Sequence, residues 1–141
     1  MKLLDANLLI YAVDETSPRH EAVHAWVEGA LGGEEPVALP WVVLLAFVRL
    51  TTRPQVMRHP YPADEALDVV DGWLAQPNVV VVHPTERHAG ILRELLEPLG
   101  SGGNLTTDAH LAALAIEHGA QLCSCDSDFS RFPGLRWHNP L

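Results

Sequence analysis

Short apolar runs alternate along this chain with longer segments in which apolar residues recur every three or four positions. This alternation is typical of α/β folds built on a parallel sheet. The apolar runs predict five short strands, at residues 2–4, 37–39, 79–82, 121–124 and 136–138. The third run consists of four valines, which is typical of a strand covered on both faces.

The longer segments predict five helices, at residues 18–31, 41–52, 63–75, 85–99 and 106–118. The second of them is apolar nearly all round, so we expect it to be well buried. For the last helix we expect a cap from the hydroxyl of Thr106 or Thr107 and an end at Gly119.

Length and composition indicate a single globular domain spanning residues 1–141. The chain is 48 % hydrophobic and 19 % charged, with neither a low-complexity run nor an apolar stretch long enough to span a membrane. The N-terminus begins directly with a strand-like segment, so we expect a cytoplasmic protein. The two cysteines, Cys123 and Cys125, are too close in sequence to form a disulfide easily, which is consistent with a reducing compartment.

The net charge is −9, with one lysine and eight arginines. Such a protein repels a polyphosphate substrate unless a cation lies between them. A bound divalent metal ion could be that cation, and a basic protein partner would also suit this charge. The charge alone does not decide between a metal ion and a partner.

Four aspartates fall where a parallel sheet would bring them together. Asp5 ends the first strand, Asp126 and Asp128 follow the fourth, and Asp108 lies in the first turn of the helix before it. Ligand sites of open parallel sheets lie beyond the carboxyl ends of the strands, where the strand order reverses. Each acid alone is explained equally well as a cap or turn residue. Clustered carboxylates, however, repel one another unless a cation neutralises them, and oxygen ligands favour magnesium or manganese.

Three segments in this order, LLDANLLIYAVD, NLTTDAHLAALAIEHGAQL and SCDSDFSRFPGLRWHNP, resemble a PIN domain, specifically the VapC toxins of VapBC toxin–antitoxin pairs. The resemblance covers essentially the whole chain. It implies a three-layer α/β/α sandwich with a short, mainly parallel sheet, and endonuclease activity on RNA that depends on Mg²⁺ or Mn²⁺. It also implies a homodimer and a small VapB-like antitoxin, whose basic tail would occupy the acidic groove.

The resemblance also implies roles for individual residues. Asp5, Asp108 and Asp126 match the family's acids and would be the metal ligands. Ser124 fills the hydroxyl position of the Ser/Thr-x-Asp motif, where it would orient a carboxylate or a bound water. Asp128, in the Asp-Phe pair that follows this motif, is a further catalytic candidate.

One departure from the family concerns the second helix, where many PIN domains carry a glutamate. The corresponding stretch, WVVLLAFVRL, has Phe47 at that place, and no acid occurs between Glu35 and Asp64. This puts a two-metal site in doubt. It also leaves open a non-catalytic PIN-like module that binds RNA or a protein partner.

Arginines near the end of this helix are candidate contacts to the substrate. Arg49 and Arg53 could bind RNA phosphates, as could the neighbouring Arg58. Solvated charges at a helix end explain them at least as well.

The chain also contains an H-E-x-x-H motif, from His20 to His24, on a predicted helix. This is the signature of zinc proteases. We interpret it as a chance match, because the chain has eight histidines and no well-placed third ligand. Phosphoaspartate receivers are a poor fit, since no lysine follows Lys2, and the related phosphatases need an aspartate where Asn7 stands.

Overall fold

The computed structural model describes residues 1–141. Its strands are β1 (Lys2–Leu4), β2 (Val37–Ala38), β3 (Val79–Val80), β4 (Gln121–Cys123) and β5 (Trp137–His138). Its helices are α1 (Ala6–Val13), α2 (His20–Leu31), α3 (Trp41–Thr51), α4 (Ala63–Leu74), α5 (His88–Leu96) and α6 (Thr106–Glu117). All five predicted strands and all five predicted helices are present. Helix α1 was not predicted.

The five strands form one sheet in the order β3-β2-β1-β4-β5, and every neighbouring pair is parallel. Lys2 of β1 is in register with Val37 on one side and Gln121 on the other. The chain proceeds outward from β1 to β3 and then returns to add β4 and β5 on the opposite side. The strand order therefore reverses between β1 and β4, and the crevice beyond their carboxyl ends is the expected place for a site.

Helices cover both faces of the sheet. Right-handed crossovers place α1 to α4 on one face, because the chain moves in one direction along β1, β2 and β3. The return from β3 to β4 places α5 and α6 on the other. Consistent with this, α1 packs against α2 and α3, α3 packs against α4, and α5 packs against α6. The predicted three-layer α/β/α sandwich with a parallel sheet is confirmed.

Three local expectations are wrong. Strand β3 is at the edge of the sheet, where its cover is incomplete, and Val80 exposes 39 % of its surface. Helix α3 is buried on one side only: Trp41 and Leu45, four residues apart on one face, expose 44 % and 59 %. No side chain caps α6, which continues from a short 3-10 turn (Gly103–Leu105). Of the six α-helices, none combines the length and apolar character that crossing a membrane requires.

Candidate active site

Asp5 links the end of β1 to the start of α1. It is the N-terminal cap of α1, and its Oδ1 accepts a hydrogen bond from the Ala6 amide at 2.7 Å. Its Oδ2 accepts one from the Ser124 hydroxyl, also at 2.7 Å. Burial raises the pKa of Asp5, the two hydrogen bonds oppose this, and the charge of Asp126 raises it further. The same carboxylate therefore caps a helix and contributes charge to the crevice.

Ser124, at the end of β4, is buried and organises the crevice. Besides donating to Asp5, its hydroxyl oxygen accepts hydrogen bonds from the Asn7 side-chain amide and the Asp126 backbone amide, both at 3.0 Å. The side-chain oxygen of Asn7 in turn accepts a hydrogen bond from the Cys125 backbone amide at 3.4 Å. Ser124 thus lies where its motif placed it. Asn7 was not predicted as part of the site, although its spacing from Asp5 puts it in the first turn of α1.

Three further carboxylates converge beside this network. Asp108, Asp126 and Asp128 each place one oxygen within 4.8 Å of the other two, and all three are half-buried. Asp126 caps the 3-10 turn Ser127–Arg131 by accepting a hydrogen bond from the Asp128 amide at 2.9 Å, which brings the two side chains together. Burial, and then repulsion by Asp126, Asp5 and Asp128, raises the pKa of Asp108 to about 6. Negative charge is therefore crowded at this point.

The resemblance implied Asp5, Asp108 and Asp126 as the metal ligands, and the structure brings these three acids and Asp128 to one crevice. Asp128, the secondary candidate, joins Asp108 and Asp126 in the compact triad. Asp5 directs its oxygens at Ser124 and Ala6, and it acts on the triad through its charge. We refer to Asp5 and the triad together as the acid cluster.

The arginines proposed from the sequence lie apart from this network. Arg49 is exposed in the last turn of α3 and Arg53 is exposed just beyond it, a place that suits the negative end of the helix dipole. Neither forms a hydrogen bond or ion pair with the acid cluster. The arginine that does is Arg131, 3.6 Å from Asp128, which sequence reasoning missed.

Phe47 belongs to the hydrophobic core. Its ring is fully buried and packs edge-on against Trp73 of α4, with 4.7 Å between ring centroids. The aromatic residue therefore joins α3 to α4, and this position supplies no carboxylate to the site.

The two histidines of the H-E-x-x-H motif join α2 to α1. The Nδ1 atoms of His20 and His24 donate hydrogen bonds to the carbonyls of Tyr11 and Ala12, at 2.9 and 3.0 Å. No third metal-ligating side chain joins them, since the triad is the one such group in the chain. This packing role supports the interpretation of the motif as a chance match.

A second cluster of titratable groups runs along α6 from Glu117, its last residue, back to His110, and sequence reasoning missed it. The Glu117 side chain has no exposed surface; it accepts hydrogen bonds from the Thr85 amide and from His88 Nδ1, each at 2.6 Å. His88 Nε2 is 2.9 Å from His110 Nδ1, and burial lowers the pKa of His110. We refer to Glu117, His88 and His110 as the Glu–His–His network.

Residues 2–135 match the PIN domain family. The chain is 51 % identical to Ribonuclease VapC37 of Mycobacterium tuberculosis, covering 99 % of this chain and 97 % of that protein. It is 40 % identical to Ribonuclease VapC33 of the same species, covering 100 % and 99 %. Among solved structures, VapBC2 from Rickettsia felis, bound to a promoter DNA fragment, shares the fold with a TM-score of 0.71 at 19 % identity, covering 98 % of this chain and 97 % of that one.

The resemblance drawn from the three sequence segments is thereby confirmed over nearly the whole chain. The acid cluster lies at the strand-order reversal of a sandwich that solved toxin–antitoxin structures share. The chain belongs to the PIN domain family and, within it, to the VapC-type toxins.

Proposed function

We propose that this VapC-type ribonuclease hydrolyses RNA phosphodiester bonds with a divalent metal ion held by Asp108, Asp126 and Asp128. The observation that carries the proposal is the crowding of the three carboxylates, with oxygens within 4.8 Å of one another and a pKa near 6 for Asp108. Three acids in this arrangement are stabilised by a cation. Asp5 and Ser124 belong to the same catalytic site as its supporting groups.

The donor set fits magnesium or manganese. All three donors are carboxylate oxygens, without nitrogen or sulfur, and hard divalent cations prefer such ligands. When bound, such an ion would polarise the phosphate and lower the pKa of the attacking water. Because Phe47 supplies no fourth carboxylate, we expect one ion per chain in the absence of RNA.

The chain's own residues hold the ligands in place. Ser124 connects the Asp5 carboxylate, the Asn7 amide and the Asp126 backbone through three hydrogen bonds of 2.7–3.0 Å. This fixes the end of β4 relative to the start of α1, and preorganised ligands need little rearrangement when a cation binds. Above about pH 6 the Asp108 carboxyl is ionised and available as a ligand.

We also propose a VapB-like antitoxin as partner and a homodimer as the assembly. The antitoxin is supported by the shared fold with a VapBC structure, and a basic segment complements a chain of net charge −9. Trp41 and Leu45 form an exposed apolar ridge on α3 that such a partner could cover. Arg49 and Arg53, exposed at the end of α3, remain candidate contacts to RNA phosphates.

We further propose that residues 1–141 act as one nuclease domain in the cytoplasm. A single hydrophobic core, to which the sheet and the helices of both faces contribute, supports the first point. Two free cysteines and an RNA substrate are consistent with the second.

Cleavage by purified protein tests the catalytic proposal. A labelled RNA mixture should be cut in Mg²⁺ or Mn²⁺ and left intact in EDTA, and the Asp126→Asn variant should be inactive. Asp64→Asn, at an exposed acid of α4 outside the cluster, is the matched control and should cut normally. RNA binding without cleavage in any divalent metal would support the non-catalytic module instead.

A further inference from the structure

Arg19 presents an oriented positive charge at the start of α2. Its guanidinium carbon lies 5.4 Å from the centroid of the Tyr11 ring, a cation–π arrangement. Its backbone amide donates to the Ser17 hydroxyl at 3.2 Å, and its carbonyl accepts from the Val23 amide at 3.1 Å. No carboxylate lies within 4.0 Å of the guanidinium. Arg19 is exposed, and these contacts hold it in place. No carboxylate neutralises its charge.

This charge lies near the segment that carries Ser124 and Asp126. Burial raises the pKa of the Cys125 thiol, which stands between them in sequence, and the nearby positive charge of Arg19 opposes this rise. Tyr11, which supports the guanidinium, lies one turn beyond Asn7 on α1, and Asn7 is bonded to Ser124. A continuous series of contacts thus joins Arg19 to the cluster.

Space for a substrate adjoins the same helix face. A pocket of about 220 Å³ beside α1 is lined by Asn7, Ile10, Tyr11, Asp14 and Val56. Val56 comes from the turn after α3, where its amide donates to the Arg53 carbonyl at 3.0 Å. The pocket therefore opens beside Asn7, a member of the hydrogen-bond network of the crevice.

We propose that Arg19, held over Tyr11, binds an RNA phosphate adjacent to the one that is cut, with the neighbouring nucleotide in the pocket beside α1. This inference rests on the proposed ribonuclease function. An RNA strand that reaches the acid cluster brings further phosphates to a chain of net charge −9, and these need a cation. A guanidinium matches a phosphate with two parallel hydrogen bonds. Arg131, by contrast, is already paired with Asp128.

Kinetics and binding of Arg19 variants test this. With a single-stranded RNA oligonucleotide that the parent protein cleaves, Arg19→Ala should raise KM about tenfold and leave kcat within about twofold. Asp126→Asn is expected to bind RNA without cutting it. In that background, fluorescence anisotropy over a salt series should show that Arg19→Ala reduces the slope of log affinity against log salt by about 0.7. Arg19→Lys keeps the charge but lacks the paired N–H donors of the guanidinium. It should therefore retain the slope and recover part of the affinity.

The controls separate this inference from the proposed function. Arg93→Ala, at an exposed arginine in the last turn of α5, should change neither KM nor slope. Normal cleavage by the parent with unchanged KM and slope in Arg19→Ala would overturn the Arg19 assignment alone. The Arg19 assignment would also be overturned if Arg19→Ala keeps its RNA affinity but no longer binds a co-expressed antitoxin. That result would show that the surface around Arg19 binds the protein partner. A parent protein that cuts no RNA would overturn the proposed function, and this inference with it.

Discussion

Helix α6 carries an acid near each end, and the surroundings of the two acids differ sharply. At the N-terminal end, Asp108 faces other carboxylates, and its pKa is raised to about 6. At the C-terminal end, the Glu117 side chain has no exposed surface but accepts hydrogen bonds from the Thr85 amide and from His88. One acid lacks a compensating partner within the chain, whereas the other is fully satisfied.

This difference separates a functional cluster from a structural one. Buried polar groups that serve stability are normally paired, as Glu117 is. A group of like charges without compensation destabilises the fold, and it is expected where a ligand provides what the protein lacks. Within the acid cluster Asp108 meets this criterion, while the Glu–His–His network joins α6 to α5 and the segment before it.

The largest expected effect is on cleavage. Asp108→Asn should lower the rate of RNA cleavage by about 10³-fold or more, because a ligand of the metal ion is lost. Glu117→Gln, at the other end of the same helix, should leave the rate per folded molecule within about threefold. Cleavage assays at matched concentrations of folded protein compare the two. Equal losses in both variants would remove the distinction between the clusters.

For stability the order of the two positions should be reversed, with the larger effect at Glu117. Glu117→Ala should lower the free energy of unfolding by about 1–3 kcal/mol, because the Thr85 amide and the half-buried His88 lose their acceptor. Glu94→Ala, at an exposed acid of α5, is the control and should stay within about 0.5 kcal/mol of the parent. Urea unfolding measures both. A Glu117→Ala protein as stable as its control would show that the network does not hold α5 to α6.

The pKa of Asp108 predicts a pH dependence in metal-free protein. The folded state keeps this proton up to about pH 6, whereas the unfolded carboxyl loses it near 3.8. The folded state therefore binds more protons between these values, and its stability falls as pH rises through this window. Allowing for solvent screening at a half-exposed group, we expect a loss of about 1–2 kcal/mol.

Asp108→Asn should remove this dependence, so the stability difference between variant and parent should grow in the variant's favour from pH 4 to pH 6. Unfolding in EDTA across this range measures it. A constant difference would contradict the assignment of the raised pKa to Asp108.

The smallest effect concerns the H-E-x-x-H motif. His20→Ala removes the hydrogen bond to the Tyr11 carbonyl and should cost about 1 kcal/mol of stability, without abolishing cleavage. The purified parent should contain no stoichiometric zinc by metal analysis. One zinc per chain, lost in His20→Ala, would instead support a protease site.

The sequence was sufficient for the sheet and for the convergence of the acids. Asp5 directly follows β1 and Asp126 comes three positions after the end of β4. Parallel strands bring their carboxyl ends to one edge, so the proximity of these acids follows from topology. The presence of Asp108 in the cluster was also predictable, because this residue lies at the start of the helix that leads into β4. The closer association of Asp128 with the triad was not predictable, because it depends on the 3-10 turn that Asp126 caps.

Other features lacked a local signal. Helix α1 was missed because apolar residues continue from Leu3 through Val13 with few polar interruptions, so no periodic pattern separates strand from helix. The pairing of His88 with Glu117 spans 29 positions, and nothing in either segment specifies the other. The cation over Tyr11 likewise depends on how α2 packs against α1, which only the three-dimensional structure shows.

Calorimetric titration with Mn²⁺ tests the central claim most directly, because it measures the acid cluster without requiring the RNA target. We predict one ion per wild-type chain, loss of binding in Asp108→Asn and Asp126→Asn, and normal binding in Glu117→Gln. Wild-type affinity in both aspartate variants, or no binding by the wild-type chain, would contradict the assignment of the cluster as the metal site of the nuclease.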